Sequence, residues 1–490
     1  MTEAKRMITR FTFVALGVLA LGAPQAWGQL SLERRLRSAM ANVPHARTIR
    51  SACVIDLSDG VPVYEENADR AMVPASTMKV FVMAAALTVL GPDFSFDTKL
   101  LSDGRNLIVI GAGDPAFGDA SLSRDRSESI TAEFDRWVAA LKRRGISRIS
   151  GDIVIDESLF DGQRIHPTWE AADLDKAYAA PVGALNYHDN CVTITISPAS
   201  QLGEPVLVSF QPRTTLVEIV NGCRSGGANK PILRHRYDSF EYRLSGRCKA
   251  RWPFGPVSFP DPGLLFADAL QTRLLDHDIV LRGKIRRAKV SDVIAENPGK
   301  LSLIATKTTP LSVVLRRIGK DSENLFAECL FKRVGYEWAR RNEATDPVGS
   351  WATGRAAVEA MVRRAGVDAA GLKVADGSGL SRDNACSAHQ LAALLAWMYK
   401  RPEGTALRES LSIAGVDGSL ARHLRDRPGA VFAKTGTMRG VRTLAGYVKS
   451  DGFPDYAFAV MFNGYPGPST HYKSIQDRMC RVLMDAQHGR

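Results

Sequence analysis

Hydrophobic positions change their period several times along the chain, and each change marks a structural element. Short apolar runs at Ala52–Asp56 and Val61–Tyr64 flank Ser58-Asp59-Gly60, the pattern of two strands joined by a turn. From Ser76 to Leu90 the run STMKVFVMAAALTVL is apolar nearly all round, which predicts a helix buried at the centre of a core; Pro74 ends the extended stretch before it. Between about 94 and 304 short β-rich runs alternate with Gly, Asp and Ser turns, among them Asn106–Ile110, Ile153–Ile155 and Cys191–Ile196. This stretch, with one helical run near Ile130–Arg144, reads as an inserted domain. Helical periodicity returns over Leu311–Ile318, Leu325–Trp338, Ser350–Ala365 and Ala388–Tyr399. The chain closes with strand-like Leu444–Val448 and Ala457–Phe462. A last helix, Ile475–Met484, sets Ile475, Met479, Val482 and Leu483 on one face.

A length of 490 residues with 45% hydrophobic positions is enough for roughly two to four packed cores. No apolar run near ~20 residues occurs in the body, which excludes a polytopic membrane protein. The first residues read as an address: Lys5, Arg6 and Arg10 precede the apolar stretch Phe11–Leu21, and Ala26-Trp27-Gly28 supplies small residues for cleavage. That stretch is shorter than the ~17–25 residues of a spanning helix, so a secretory signal over 1–28 is expected rather than an anchor. The formal charge is +12. Losing Lys5, Arg6, Arg10 and Glu3 removes a net +2, so the remainder carries +10. Lys and Arg are spread along the whole length without a polybasic block, and no zinc-finger or RRM pattern occurs, so no nucleic-acid partner is expected. The seven cysteines form no C-x-x-C pair, which signals neither a metal nor a dithiol site; Cys223 and Cys248, flanking a polar Gly-rich loop, are the one candidate disulfide.

One motif misleads. Gly111-Ala112-Gly113-Asp114-Pro115-Ala116 follows a strand and fits the dinucleotide fingerprint G-x-G-x-x-[GA]. A helix has to open there to aim its N-terminus at a pyrophosphate, and Pro115 with the polar run SLSRDRSES predicts none. A tight turn is the better reading.

Candidate chemistry comes from three short motifs that each occur once. Ser76-Thr77-Met78-Lys79 starts a helix, where positions i and i+3 share a face, so the hydroxyl and the amine point into one space. A serine is a poor nucleophile until a base takes its proton. A lysine entering so apolar a helix needs a partner or a depressed pKa. Ser322-Glu323-Asn324 lies between two helical runs, and Lys434-Thr435-Gly436-Thr437 enters a strand. Alone, Ser322 suits a helix cap and Lys434–Gly436 a strand leading into a turn. Together, in the order S-x-x-K, S-x-N, K-T-G, they match the signature of active-site serine penicillin-recognising enzymes.

Here the chain resembles the D-alanyl-D-alanine carboxypeptidases of the penicillin-binding protein 4 type, peptidase family S13. The resemblance spans nearly all of the mature chain. It extends to Pro74–Lys79, Gly151–Asp156, Tyr178–Pro181, Ala184–Asn186 with Asn190, and Asp376–Arg382, and the three core motifs show no departure. Ser76 and Ser322 are 322 − 76 = 246 residues apart, a gap that resembles this family's large insertion and exceeds what class A β-lactamases allow. The resemblance implies an α+β fold: a transpeptidase-like domain over 29–93 and 305–490, built on a five-stranded antiparallel sheet flanked by helices, with a β-rich insertion over 94–304 that forms one domain or two nested ones.

It also implies roles. Ser76 is the nucleophile toward the carbonyl between two terminal D-alanines of a peptidoglycan stem peptide, and Lys79 takes its proton. A neutral amine at pH 7 requires the Lys79 pKa to fall by about three pH units, roughly 4 kcal/mol, through burial and the nearby positive Lys434. Ser322 relays a proton to the leaving amine, and Asn324 binds the substrate backbone. Lys434, Thr435 and Thr437 hold the terminal carboxylate, Gly436 lets the strand approach, and the amides of Ser76 and Thr437 form an oxyanion hole. No metal or organic cofactor is implied. β-Lactam antibiotics are expected as covalent inhibitors, the location is the periplasm, and stable membrane insertion is not expected. The motifs by themselves also suit a β-lactamase or esterase of the same fold, or an envelope binding protein with an idle cleft.

Overall fold

The hydrophobic runs segregate into two units in the computed structural model, which describes residues 32–41, 43–296, 301–449 and 454–486. The expected signal sequence over 1–28 lies outside the described residues. The described residues within Met1–Thr77, Ala365–Lys373 and Ala385–Arg490 form the first unit; those within Met78–Arg364 and Val374–Asn384 form the second.

The first unit is built on an antiparallel sheet in the order Ser412–Ile413, Val431–Met438, Val441–Lys449, Pro454–Asn463, Ile49–Asp56, Pro62–Glu66. The five expected strands are present, and a two-residue strand joins the edge. Along Val441–Lys449 every residue up to Val448 is buried, because both faces of the sheet are covered. On one face Leu444 and Val448 pack with Val54, Phe458 and Phe462 against a helix over 32–41 and against the terminal helix Thr470–Met484, which contributes Ile475, Met479 and Leu483. The opposite face carries Tyr447, whose hydroxyl donates to the Leu395 carbonyl at 2.8 Å in the helix Ala388–Tyr399. That helix begins in a reciprocal cap between Ser387 and Gln390.

The second unit contains residues 94–304 together with the helices on either side of that stretch. Met78–Val89, Asn324–Arg341 and Trp351–Arg364 pack on one another. Ten of the twelve residues of Met78–Val89 are buried, as its all-round apolar sequence predicts. A mixed five-stranded sheet follows the order Ile285–Arg287, Ile153–Asp156, Leu107–Ile110, Ser95–Ser102, Ser302–Pro310. The helices Ala132–Arg143 and Pro262–Asp276 cover it through Phe134, Trp137 and Phe266, grouped around Phe117. A smaller pair of sheets occupies Cys191–Ser258. Its three-stranded sheet runs Trp252–Ser258, Cys191–Ser197, Leu207–Gln211, and the strand Glu241–Cys248 is the hub of the four-stranded one.

Two expectations are corrected. A six-residue helix, Ala120–Asp125, forms where the sequence predicted none, capped by Asp119, whose side chain accepts the Leu122 N–H at 2.6 Å. It starts well past the glycine turn, which closes on protein instead of a phosphate: a Cβ on Gly111 would lie 2.6 Å from the Ala184 carbonyl oxygen. The Cys223–Cys248 disulfide is not formed. All seven cysteines are free and buried, and the Cys248 thiol is directed at the Ala250 carbonyl, to which it donates at 2.9 Å. Among the described residues no helix is long and apolar enough to cross a membrane.

Candidate active site

In the first unit the candidate nucleophile sits on a held turn. Ser76 lies in the one-turn helix Ala75–Thr77, entered through Ala75 at φ +48°, a left-handed conformation that costs a residue with a Cβ on the order of 1 kcal/mol. The Pro74 carbonyl fixes this turn by accepting the Thr77 hydroxyl at 2.8 Å and, from the sheet, the Thr443 hydroxyl at 2.7 Å. The sheet reaches the turn at Gly436, where a Cβ would lie 2.7 Å from the Pro74 oxygen and 3.1 Å from the Ser76 nitrogen. Only glycine permits that approach.

Lys434, Thr435, Gly436 and Thr437 all lie in the strand Val431–Met438. The edge strand Ser412–Ile413 pairs with Phe432 and Ala433 and stops there. Lys434 is fully buried and its ammonium donates to the Thr435 carbonyl at 2.9 Å. The Thr435 hydroxyl donates to the Ser419 hydroxyl at 2.8 Å. Thr437 accepts from the Arg442 guanidinium at 2.7 Å, while Arg442 Nε donates to Gln476 at 3.1 Å.

In the second unit Lys79 and Asn324 come together with a loop that the motifs do not name, and Ser322 lies two residues before Asn324. Lys79 is fully buried one residue into the helix Met78–Val89. Its Nζ donates to Asn324 Oδ1 at 2.7 Å and to the Ser378 carbonyl at 2.6 Å. Burial pushes its pKa down to about 8, against the opposing pull of Asp376, Glu328 and Glu323. The fall is smaller than the sequence argument required, because carboxylates surround the amine. Asn324 Nδ2 donates to the Tyr178 carbonyl at 2.7 Å, so both ends of this amide are engaged by protein.

Ser322 has φ +65° and ends a π-helical turn, Arg317–Asp321, the kind of irregularity that recurs at functional sites. Arg317 braces the turn: its guanidinium donates to Asp321 and to the fully buried Asp119, each at 2.7 Å. The loop that offers the Ser378 carbonyl is wrapped on its own acid. Asp376 accepts the amides of Gly379 at 2.8 Å and Ser381 at 2.6 Å and the Trp169 indole at 2.9 Å. Glu328, one helical turn beyond Asn324, accepts the Ser378 amide at 2.7 Å, the Gly377 amide at 3.1 Å and the Trp351 indole at 2.8 Å. Burial, with Asp376 beside it, pushes the Glu328 pKa up to about 7.

The first unit thus gathers Ser76 with the Lys434–Thr437 strand, and the second gathers Lys79 with Asn324, two residues after Ser322; the peptide chain joins Ser76 to Lys79 through Thr77 and Met78. Sequence reasoning missed Glu328, Ser419 and Arg442. Glu328 alone left a trace, as an acid at a helix position otherwise surrounded by apolar residues.

A sequence-family model described as the D-Ala-D-Ala carboxypeptidase 3 (S13) family matches residues 32–486. The chain is 30% identical over 517 residues to a D-alanyl-D-alanine carboxypeptidase of Actinomadura sp., spanning 98% of this chain and 91% of that one. It is also 30% identical over 425 residues to the D-alanyl-D-alanine carboxypeptidase DacB of Haemophilus influenzae, spanning 82% and 83%. The crystal structure of penicillin-binding protein 4 from H. influenzae superimposes with a TM-score of 0.75 at 24% identity, covering 92% of this chain and 99% of that chain. The same protein complexed with a β-lactam gives 0.70 at 25% identity, covering 91% and 98%.

Proposed function

Because the chain belongs to the D-Ala-D-Ala carboxypeptidase 3 (S13) family and is a hydrolase of that kind, we propose that it acts on peptidoglycan stem peptides through an acyl-enzyme on Ser76. The observation that carries this reading is Lys79, a buried amine with a pKa near 8, three residues from a serine on a strained turn. At pH 7 about a tenth of such an amine is neutral and able to accept the Ser76 proton. Ser76 Oγ attacks the carbonyl of the penultimate D-alanine, and the amides of Ser76 and Thr437 receive the developing oxyanion. Ser322, held at the end of the Arg317-braced turn, passes the proton to the leaving amine. The C–N bond breaks, D-alanine leaves, and water then cleaves the ester, returning Ser76 and releasing the shortened stem.

Lys434, with the Thr435 and Thr437 hydroxyls, binds the terminal carboxylate, and Asn324 serves both Lys79 and the substrate backbone. The strand edge beyond Ala433, not covered by Ser412–Ile413, suits an extended peptide added as a further strand. Cleavage of a cross-link between stem peptides needs the same steps with a different leaving amine, so endopeptidase activity is part of the proposal. β-Lactams acylate Ser76 and leave slowly, as the β-lactam complex of the H. influenzae relative supports. The catalytic domain is assigned to 29–93 and 305–490, the insertion to 94–304, and the signal over 1–28 directs the protein to the periplasm.

The test is incubation with benzylpenicillin followed by intact-mass measurement and peptide mapping. A stable adduct on Ser76 supports the reading. Rapid loss of the drug without an adduct points to a β-lactamase, and an intact drug without an adduct to an idle cleft.

A further inference from the structure

Strand pairing gathers on one sheet face the cations that the sequence keeps apart. In the four-stranded sheet of the second unit, the strand Lys230–His235 runs antiparallel to Glu241–Cys248, setting Lys230 opposite Arg247, Ile232 opposite Ser245 and Arg234 opposite Arg243. On the far side of Glu241–Cys248, Arg224 stands opposite Arg247, and Val220 opposite Arg243. All of these residues are exposed, whereas the alternate positions Tyr242, Leu244 and Cys248 are buried. Leu244 and Cys248 pack with Ile196 and Val206. The solvent face therefore shows a row of three cations, Lys230, Arg247 and Arg224. Four residues along, at ~3.3 Å each and so about 13 Å away, stand Arg234 and Arg243, with Ile232 and Ser245 between the rows.

Like charges directly opposite one another destabilise a sheet, and nothing in strand formation asks for two such pairs side by side. Compensation is partial. Arg243 donates to Glu241 at 2.6 Å, and Glu218 lies beside Glu241 at the end of the face. Among the described residues no carboxylate stands within ion-pair distance of Lys230, Arg224, Arg234 or Arg247. The face is the open side of a four-stranded sheet, so it fits a polymer with repeated anions better than a small ligand. Between the two rows stand Ile232 and Ser245, with no aromatic side chain there to anchor in a lipid interface, which argues against a membrane.

We propose that this face binds the peptidoglycan polymer through its repeated carboxylates, keeping the wall at hand while stem peptides are processed. The proposal rests on the carboxypeptidase reading above. Several weak cationic contacts act together, raising the effective concentration of stem peptides without any contact to the reacting bond.

The experiment is cosedimentation of the purified protein with insoluble peptidoglycan, alongside hydrolysis of a soluble D-Ala-D-Ala peptide. Binding should weaken as salt rises from ~50 to ~300 mM. Lys230→Glu with Arg247→Glu should weaken it on the order of tenfold and leave soluble-peptide hydrolysis unchanged. Arg224→Glu with Arg234→Glu should act alike, so misfolding of one variant does not decide the matter. Peptidoglycan whose carboxylates have been amidated should bind the unaltered protein less. Undiminished binding by both double variants overturns the proposal. So does equal binding to amidated wall, or charge-dependent capture by phosphatidylglycerol vesicles with no charge-dependent wall binding. Failure of the carboxypeptidase reading shows separately, as absent hydrolysis of the soluble peptide.

Discussion

Lys79 Nζ donates to Asn324 Oδ1 across 2.7 Å, so one hydrogen bond ties the S-x-x-K helix to the S-x-N turn. A neutral amide stabilises the ammonium less than a carboxylate would, and burial outweighs it and lowers the pKa. Asn324→Asp would place a carboxylate at the same distance. An opposite charge that close raises a lysine pKa by ~1–3 pH units, so kcat/KM at pH 7 should fall by roughly ten- to a thousandfold. The ascending limb of the pH profile should move upward by the same interval. A profile whose inflection stays in place would remove Lys79 from the role of base.

Acylation by benzylpenicillin should itself report the lysine. The base form is the neutral amine, so activity is lost as pH falls below the pKa. With that pKa near 8, the rate should rise about tenfold per pH unit between pH 6 and 7 and level off above about 8. Lys79→Arg, which stays charged across the range, should acylate at least ~10³-fold more slowly. A wild-type rate constant that is flat from pH 6 to 9 would contradict the assignment.

The legible parts of the molecule were those that local pattern determines. The helix run after Ser76, the helix Ala388–Tyr399 and the strands at Cys191 and Val441 follow from unbroken apolar or alternating stretches, and their residues are buried as that pattern requires. The three motifs were legible because each is continuous in sequence. What stayed hidden depends on contacts between distant segments. Glu328 is an acid on a buried helix face until the loop at Ser378 is folded onto it, and Arg442 is one arginine among many until the pairing of Val441 with Met438 sets it opposite Thr437. The cationic sheet face was invisible for the same reason: alternation along a strand spreads its charges over every second residue, and only the register aligns them. Asp119 shows the converse limit, since a helix of six residues is too short to have a period.

Gly436→Ala tests the approach of the strand to the Ser76 turn. The added Cβ would lie 2.7 Å from the Pro74 oxygen, a carbonyl already held by two hydroxyls, so the strand must move and not the turn. A displacement of several tenths of an ångström would misalign the donors expected at Ser76 and Thr437. One misplaced oxyanion donor costs ~10²–10³ in rate. The second-order constant for penicillin acylation should drop by that factor, while the circular dichroism spectrum stays unchanged. Acylation at the wild-type rate would show that the close contact has no catalytic consequence.

Glu328→Gln tests how the Ser378 carbonyl is held against Lys79. The carboxylate takes three N–H groups, from Gly377, Ser378 and Trp351, with both of its oxygens. A glutamine keeps one acceptor and turns an NH₂ toward the remaining donors in a fully buried site, which should cost about 2 kcal/mol. Trp351→Phe removes only one of the three donors and should cost less, about 1 kcal/mol. The pH dependence separates charge from packing. Because the folded-state pKa of Glu328 is raised to about 7, the native protein holds a proton there that the unfolded chain releases near 4.5. Stability from this group is therefore full below about 4.5 and lost as pH climbs through 7, and the glutamine variant should lack that slope. Melting temperatures of both proteins between pH 4.5 and 8 make the comparison. The gap between them should narrow as pH rises, and a constant gap would mean that Glu328 is ionised throughout this range.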